Sequence, residues 1–386
     1  MISVKHPLLT KDHERFMELV DELSKRFIEP VADKIDRENY YPREVIRELG
    51  ENGILAPVMP REYGGYGMDI LGTALSIEVI SRYSGSMGIL TEVQGFLVTD
   101  AFYTYGNKQM REELVPKLAR GELIGSFALS EPCCGSDAAA IETRAERRGG
   151  EWVINGKKMW ITQGLYADVY IVFTRTGPKE ARHKAVTAFL LRRNKCIEAS
   201  PIYVMGIRGT GTSELTFNDC VVGDDDIVGK PNEGFRIAME ALNLGRIAVA
   251  SVTLGLAEAA LTEALGWVKN RRAFNQQLSD LEWVQFQLAD IMAYMETMRS
   301  IVYDAASRFD RKYEDYYAFA SIAKLTSVLI GMDIIRRAVQ LTGAYGVWSN
   351  SKLNRIYRDA KLMEIGEGTN EVQRMVIYKW LSKYLG

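Results

Sequence analysis

The chain has 386 residues, of which 47% are hydrophobic and 25% charged, and its formal net charge is -2. This is the composition of a globular protein of two or three domains, and the balanced charge provides no general field for nucleic acids or anionic membranes. The sequence shows no uninterrupted apolar run of bilayer length and no secretory signal at its N-terminus. We therefore expect a cytoplasmic protein without a membrane or nucleic-acid partner.

Histidine and cysteine are both rare. The three histidines lie near no nucleophile signature, so histidine-based acid–base catalysis is not expected. The cysteines lack the paired spacing of a zinc site, no metal is predicted, and their scarcity suits a reducing cytosol. We interpret the adjacent pair as packing residues; the four cysteines are Cys133, Cys134, Cys196 and Cys220. A carboxylate, a lysine or a cofactor must then carry the chemistry.

Helices are predicted through residue 121. Met17, Val20, Leu23, Phe27 and Val31 recur at three and four residues, the spacing of an amphipathic helix face. Further helical patterns cover 45–55, 71–83, 89–105 and 108–119.

After residue 121 the pattern changes to short β-branched and aromatic runs. Strands are predicted at 142–146, 152–156, 158–162, 169–174, 186–191 and 214–217, which suggests a small barrel or sandwich. Helical patterns return at 235–271, 281–311, 316–342 and 371–385. The predicted domains are 1–121, 122–232 and 233–386.

A glutamate between two glycines, Gly366-Glu367-Gly368, precedes the last helical pattern. Thr369 and Asn370 are candidate N-caps of that helix. A carboxylate on a tight loop at a helix start suits a proton-abstracting base, although a capped loop without chemistry explains the same residues.

Four other segments have a binding interpretation and a plainer one. Residues 127–137 join an apolar strand to a glycine-bearing turn, which can cradle a ring edge or a phosphate or can simply be a proline turn. Residues 160–162 offer a stacking plane and a hydroxyl, or core packing. Residues 271–274 and 340–346 can approach a phosphate or can be helix C-caps. No GxGxxG follows a strand and no Walker lysine motif is present, which disfavours Rossmann and P-loop nucleotide binding.

In this order, together with Glu-Tyr-Gly-Gly-Tyr-Gly at 62–67 and Asn-Gly-Lys-Lys-Met-Trp-Ile-Thr at 155–162, these segments resemble the acyl-CoA dehydrogenase family over about residues 16–384. The resemblance implies an α+β fold: an N-terminal all-α domain, a middle β-barrel and a C-terminal four-helix bundle. It also implies FAD at the domain junction, usually in a homotetramer, and an electron-transfer flavoprotein as acceptor.

The resemblance also implies a mechanism. Glu367 would remove the pro-R α-proton of an acyl-CoA thioester while the β-hydrogen leaves as hydride to the flavin, giving a trans-2-enoyl-CoA. The backbone N–H of Glu367 and a ribityl hydroxyl of FAD would stabilise the charge on the thioester carbonyl. A desolvated pocket would raise the pKa of Glu367 towards the working pH.

Site residues follow position by position from the resemblance, with 271–274 and 340–344 expected from a neighbouring subunit. The predicted FAD contacts are Phe127, Leu129, Ser130, Ser136, Trp160, Ile161, Thr162, Arg271, Phe274, Gln340, Gly343, Ala344, Thr369 and Glu371. The predicted substrate contacts are Ser136, Gly368, and Asn243 and Arg246 on an expected turn.

Departures from the family bear on the substrate. Gly366 stands where the family often has an aromatic residue, so we hypothesise room for a short branched acyl chain. Residues 244–245 hold no acid, which leaves Glu367 as the candidate base, and residues 83–87 hold no arginine, which disfavours a dicarboxylate substrate. Asn275 and Ala344 replace glycines that are usual in the FAD segments.

Two other classes remain open from the sequence. One is an enzyme of the same fold with different chemistry, such as an acyl-CoA oxidase or a flavoenzyme acting on a non-CoA substrate. The other is a non-catalytic scaffold or nucleic-acid-binding relative that keeps the flavin fold.

Overall fold

Apolar residues at helical spacing form the N-terminal part of the computed structural model, which describes residues 6–385. In the first helix Phe16, Val20 and Leu23 are buried on one face. The α-helices are α1 Lys11–Leu23, α2 Ala32–Glu38, α3 Arg43–Glu51, α4 Ile70–Tyr83, α5 Gly85–Glu92, α6 Asp100–Tyr105 and α7 Val115–Ala119. A π-helical segment, Val93–Thr99, joins α5 to α6, so the helix predicted at 89–105 is continuous. The outermost predicted domain limits, residues 1 and 386, lie outside the described range.

A mixed sheet follows. Its strands are β1 Gly125–Ala128, β2 Arg144–Arg148, β3 Glu151–Ile161, β4 Val169–Arg175, β5 Val186–Arg192, β6 Ile197–Pro201, β7 Ser213–Val222 and β8 Ile227–Val228. They pair in the order β6-β7-β3-β2-β4-β5-β8, and β1 adds to β4 in parallel. Within residues 6–385 no pairing joins β6 to β8, so the predicted barrel is not closed by a ladder. The two strands predicted at 152–156 and 158–162 are one strand, β3, and β6 and β8 were not predicted.

The C-terminal part is helical again, as the sequence predicts. Its helices are α8 Gly234–Asn270, α9 Glu282–Asp310, α10 Tyr316–Thr342, α11 Ala344–Val347, α12 Lys352–Met363 and α13 Asn370–Leu381, and the pairs Arg272–Ala273 (β9) and Gln276–Gln277 (β10) form a short hairpin. Because α8 packs against α4, α9 and α10, it is buried along most of its length and joins the N-terminal helices to the bundle. Helix α12 was not predicted.

Two of these helices, α8 and α10, are long and apolar enough, by length and composition, to cross a membrane. Charged residues still interrupt both helices, for example Arg246 in α8 and Lys324 in α10, so neither is an uninterrupted apolar run of bilayer length. The apolar window of α8 is completely buried and that of α10 is 56% buried. Burial in the core therefore accounts for the composition of α8.

The cysteines also differ from expectation, because they are joined in pairs. Cys133 is bonded to Cys134, and Cys196 to Cys220. The second pair forms because β6 and β7 are neighbours, and the N–H of Asn218 donates to the carbonyl of Cys196. Cys133 is exposed at a turn, so its interpretation as a packing residue is wrong, whereas Cys134 is buried.

Candidate active site

A cavity of about 590 Å³ lies where the turn after β1, the end of β3, helix α8 and the loop before α13 meet. Val93 and Leu97 of the π-helical segment complete its wall, so all three parts of the fold contribute. The predicted site residues that line it are Phe127, Leu129, Ser130, Ser136, Trp160, Ile161, Thr162, Arg246, Glu367, Gly368 and Thr369.

A buried ion pair fixes the turn after β1. The Nζ atom of Lys158 donates to the carbonyl of Leu129 at 2.9 Å and to Glu131 Oε1 at 2.7 Å. The N–H of Met159 donates to the carbonyl of Ser130 at 2.9 Å, so the turn is attached to β3 by backbone and side chain. Burial lowers the pKa of Lys158 to about 8, and the carboxylate of Glu131 opposes that shift. The pair of Lys158 and Glu131 was not predicted from the sequence.

Glu131, Cys133 and Cys134 bring three potential metal-ligand atoms within 4.8 Å of one another. The two sulfurs are bonded to each other, and Glu131 is paired with Lys158. In this state no free thiolate is available in the group.

Trp160 presents its ring to the cavity because β3 is irregular at this point. Its φ is 65°, and the register with β7 shifts between Lys158 and Ile161. Such an irregularity re-aims a side chain. The side chain is 56% exposed, so the alternative that it is a core residue is wrong.

The Glu367 loop has an unusual backbone. Glu367 has a φ of 53° and Gly368 a φ of 86°, a conformation that favours glycine at the second position. Gln373 Nε2 donates to the carbonyls of both residues, at 3.0 and 2.8 Å, and Lys324 Nζ donates to that of Gly368 at 2.9 Å. Thr369 caps α13 by accepting from the N–H of Val372, as predicted. The loop is therefore held by its carbonyls, and the N–H of Glu367 has no acceptor within residues 6–385.

The carboxylate of Glu367 has one oxygen enclosed by protein. The residue as a whole is half-buried, but its Oε2 atom is completely enclosed and has no hydrogen-bond partner in the described chain. Burial raises the pKa of Glu367 to about 7, against the lowering effects of Arg246 and Lys324. Burial lowers the pKa of Lys324 to about 8. A carboxylate whose pKa is raised in this way has the proton affinity that a general base needs. The catalytic role of Glu367 stays a prediction.

Asn243 and Arg246 lie within α8 and not on the expected turn. Arg246 Nη1 donates to Asn243 Oδ1 at 2.6 Å and to Ser321 Oγ at 3.4 Å. Asn243 thus orients Arg246, and the arginine lines the cavity.

Two residues beside Glu367, Gly245 and Glu92, were not predicted from the sequence. A Cβ atom on Gly245 of α8 would lie 2.5 Å from Glu367 Oε2 and 3.1 Å from Glu92 Oε1. Gly245 therefore makes room for both carboxyl groups. Glu92 of α5 is 1% exposed, and its signal in the sequence is a single charge within an apolar helical run.

The remaining predicted FAD contacts lie away from this cavity. Arg271 lines a second cavity of about 720 Å³ with Trp267 and Tyr345, and Phe274 is 84% exposed with a φ of 52°. Gln340, Gly343 and Ala344 lie where α10 ends and α11 begins. Glu371 is exposed and pairs with Arg374, so the structure does not bring it to the cavity. The contribution of 271–274 and 340–344 from a neighbouring subunit stays a prediction.

Comparison with known families identifies the fold. Residues 10–122, 126–220 and 232–382 match the models of the acyl-CoA dehydrogenase N-terminal, middle and C-terminal domains. The chain belongs to the acyl-CoA dehydrogenase family, which confirms the resemblance and the predicted fold class.

Individual relatives cover nearly the whole chain. The human mitochondrial short-chain specific acyl-CoA dehydrogenase is 36% identical over 371 residues, covering 96% of this chain and 90% of the relative. Butyryl-CoA dehydrogenase from Megasphaera elsdenii has a TM-score of 0.93 at 32% identity, covering 98% of this chain and all of that chain. A chain from a structural study of the electron transferring flavoprotein of Acidaminococcus fermentans has a TM-score of 0.94 at 33% identity, covering 98% and 99%. The protein is thus an oxidoreductase that acts on a CH–CH group of an acyl-CoA, as predicted.

Proposed function

We propose that the protein holds FAD in the 590 Å³ cavity and converts a short-chain acyl-CoA to its trans-2-enoyl-CoA, with Glu367 as the base. The observation that carries this proposal is the Glu367 loop: an enclosed carboxylate with a pKa raised to about 7, next to a backbone N–H without an acceptor in the described chain.

The residues on the sheet side of the cavity fit a flavin. Trp160, whose side chain is 56% exposed, lines that side together with the hydroxyl-bearing Ser130 and Thr162. Phe127 and Leu129 add apolar side chains to the lining. Bound FAD would supply the acceptor for the β-hydrogen.

The residues on the helical side provide the proton chemistry. Glu367 would accept the α-proton, and its own N–H would donate to the thioester carbonyl as enolate charge develops there. Met239, Leu242 and Val372 make the neighbouring wall apolar, which excludes water and strengthens both effects.

The acyl chain is proposed to be short because of the relatives named for short-chain and butyryl-CoA substrates. Among residues 6–385, a Cβ on Gly366 would have only the carbonyl oxygen of Leu362 within 4 Å, at 3.6 Å, so this position leaves space. We extend the proposal to branched chains, which the rates with isobutyryl- and isovaleryl-CoA relative to butyryl-CoA test. Inert branched substrates would reject that extension.

We further propose an electron-transfer flavoprotein as acceptor, a homotetrameric assembly and a cytoplasmic location. The first two rest on family membership, and the similarity to a chain studied with such a flavoprotein supports the first. The third rests on the composition of the sequence.

The function is tested by anaerobic titration of the purified protein with acyl-CoAs while the flavin absorbance is followed. Butyryl-CoA should bleach the wild type and leave Glu367→Gln oxidised with its FAD retained. Glu364→Gln is the matched control, because this carboxylate pairs with Lys361 and does not line the cavity. A yellow wild-type protein that no acyl-CoA bleaches would overturn the function, and rapid reoxidation by air would indicate an oxidase.

A further inference from the structure

Two carboxyl groups, not one, lie against Gly245. Glu367 Oε2 and Glu92 Oε1 approach the same point on α8, and both atoms are buried without a hydrogen-bond partner in the described chain. A buried polar atom without a partner is costly, and here two such acceptor atoms lie against the same Gly245 position.

The surrounding donors are directed elsewhere. Arg246 Nη1 is bonded to Asn243 and Ser321, and its Nε atom makes no hydrogen bond in the described chain. Lys324 Nζ is bonded to the carbonyl of Gly368 and to Asn370 Oδ1. Neither cation donates to Glu367 Oε2 or to Glu92 Oε1 within residues 6–385.

Two neighbouring carboxylates in a dry site do not both ionise readily, so such a pair tends to retain a proton. Burial, followed by the charge of Glu367, raises the pKa of Glu92 well above its usual value. Glu92 is 1% exposed whereas Glu367 is only half-buried, so ionisation costs Glu92 more hydration, and Glu92 is the member of the pair that keeps the proton.

We infer that Glu92 is a protonated positioning residue whose O–H donates to Glu367 Oε2, so that the pair holds one proton and one negative charge in the working enzyme. A single hydrogen bond of this kind satisfies both unpartnered oxygens. The inference rests on the proposed role of Glu367 as the base.

Donation to the charged form of a group favours that form. The bond therefore limits the rise in the pKa of Glu367 that burial causes, and it fixes the direction of the carboxylate. Without the donor, Glu367 Oε2 would be unsatisfied, and the base would ionise only at higher pH.

Infrared spectroscopy of the FAD-bound protein without substrate tests the protonation directly. At neutral pH, the difference spectrum between wild type and Glu92→Gln should contain the carbonyl band of a protonated carboxylic acid that shifts in D₂O. A carboxylate band in its place would overturn the inference. Because no substrate is present, this result is independent of the acyl-CoA titration that tests the function.

The pH dependence of kcat/KM for butyryl-CoA tests the hydrogen bond. Glu92→Met removes the donor at similar length. It should shift the acidic limb of the kcat/KM profile to higher pH by about one unit, because the loss of one hydrogen bond changes a pKa by about that amount. Glu92→Gln keeps an N–H donor and should return the limb close to the wild-type position. Retained FAD in both variants shows that they fold.

Three kinetic outcomes would contradict the inference. If both variants shift the acidic limb to lower pH, Glu92 is a charged neighbour that repels Glu367. If neither variant moves it, Glu92 only fills space. If Gln shifts the limb as far as Met, hydrogen-bond donation is not what Glu92 contributes.

Discussion

Two glycines position Glu367, and each does so for a different reason. Gly368 provides the left-handed backbone that turns the loop into α13, with a φ of 86°. Gly245 has ordinary helical geometry, and what matters is its missing side chain, because the Glu367 carboxylate occupies that space. The first is visible in the sequence as a Gly-Glu-Gly motif, whereas the second is one of many helical glycines.

Replacing Gly245 by alanine should therefore stabilise the helix and impair the enzyme. Its Cβ would lie 2.5 Å from Glu367 Oε2, so the carboxylate must move, and displacement of a base by about 1 Å can lower kcat by about 100-fold. Alanine in place of a helical glycine adds up to about 1 kcal/mol of helix propensity. Turnover with butyryl-CoA and thermal unfolding measure the two effects.

Gly266→Ala on the same helix is the control, since a Cβ there meets no atom of the described chain within 4 Å. It should show the gain in stability without displacing Glu367. Equal losses of turnover in the two variants would show that the crowding at Gly245 is not the cause.

At the scale of elements, the turn after β1 depends on the adjacent strand. Lys158 and Glu131 are completely and almost completely buried, and together they attach this wall of the cavity to β3. Lys158→Met should lower the free energy of unfolding by about 3–5 kcal/mol, because the remaining carboxylate loses its buried partner. It should also weaken FAD retention, since Ser130 and Trp160 flank this attachment. Urea unfolding and flavin content after gel filtration are the measurements.

The neighbouring residue provides a matched comparison. Lys157 pairs with Glu214, but its side chain is 55% exposed, so Lys157→Met should cost at most about 1 kcal/mol. A similar loss in both variants would mean that β3 tolerates no methionine, and a Lys158→Met protein of wild-type stability would remove the proposed role of the pair.

Long elements were predictable from the sequence, whereas several short ones were missed. Helix α10 runs over the predicted residues, Tyr316–Thr342, a long and mostly apolar segment that ends before Gly343, whose φ is 57°. Strands β6 and β8 have five and two residues, too few to show alternation, and depend on pairing with β7 and β5. Helix α12 buries apolar residues at helical spacing among charged ones, namely Leu353, Ile356, Ala360 and Met363. Its amphipathic pattern is present in the sequence and was missed.

The site likewise combines residues that a local motif reveals with residues that only the packing of the fold brings together. Residues 127–137, 160–162 and 366–369 are contiguous motifs, and the structure brings them to one cavity. Glu92 and Lys324 reach Glu367 only through the packing of α5 and α10 around α8, which no local pattern encodes. Lys158 lies in the motif at 155–162, but its burial depends on the turn after β1, to which it donates hydrogen bonds.

At the scale of the whole molecule, the single chain exposes large apolar residues and keeps two of its predicted FAD contacts apart from the cavity. Many of its exposed large hydrophobic residues lie in the C-terminal part, among them Trp283, Phe286, Tyr345, Trp348 and Tyr378. Such a concentration is typical of an interface. Arg271 and Phe274, predicted for FAD, lie away from the 590 Å³ cavity of their own chain. Both observations are explained if each FAD is bound by two subunits of the proposed tetramer.

A cofactor that contacts two subunits couples its binding to assembly, because each event stabilises the other. Phe274→Ser removes an apolar side chain that is 84% exposed in the single chain. We expect this variant to lose FAD and to dissociate below the tetramer in the same dilution range, as followed by flavin fluorescence and analytical ultracentrifugation. Added FAD should restore both FAD binding and the tetramer.

The control is Tyr203→Ser, which removes a 78% exposed aromatic residue from the middle domain and should change neither FAD binding nor assembly. A monomer that keeps FAD at full occupancy would show that one chain completes the site, and Arg271 and Phe274 would then need another role.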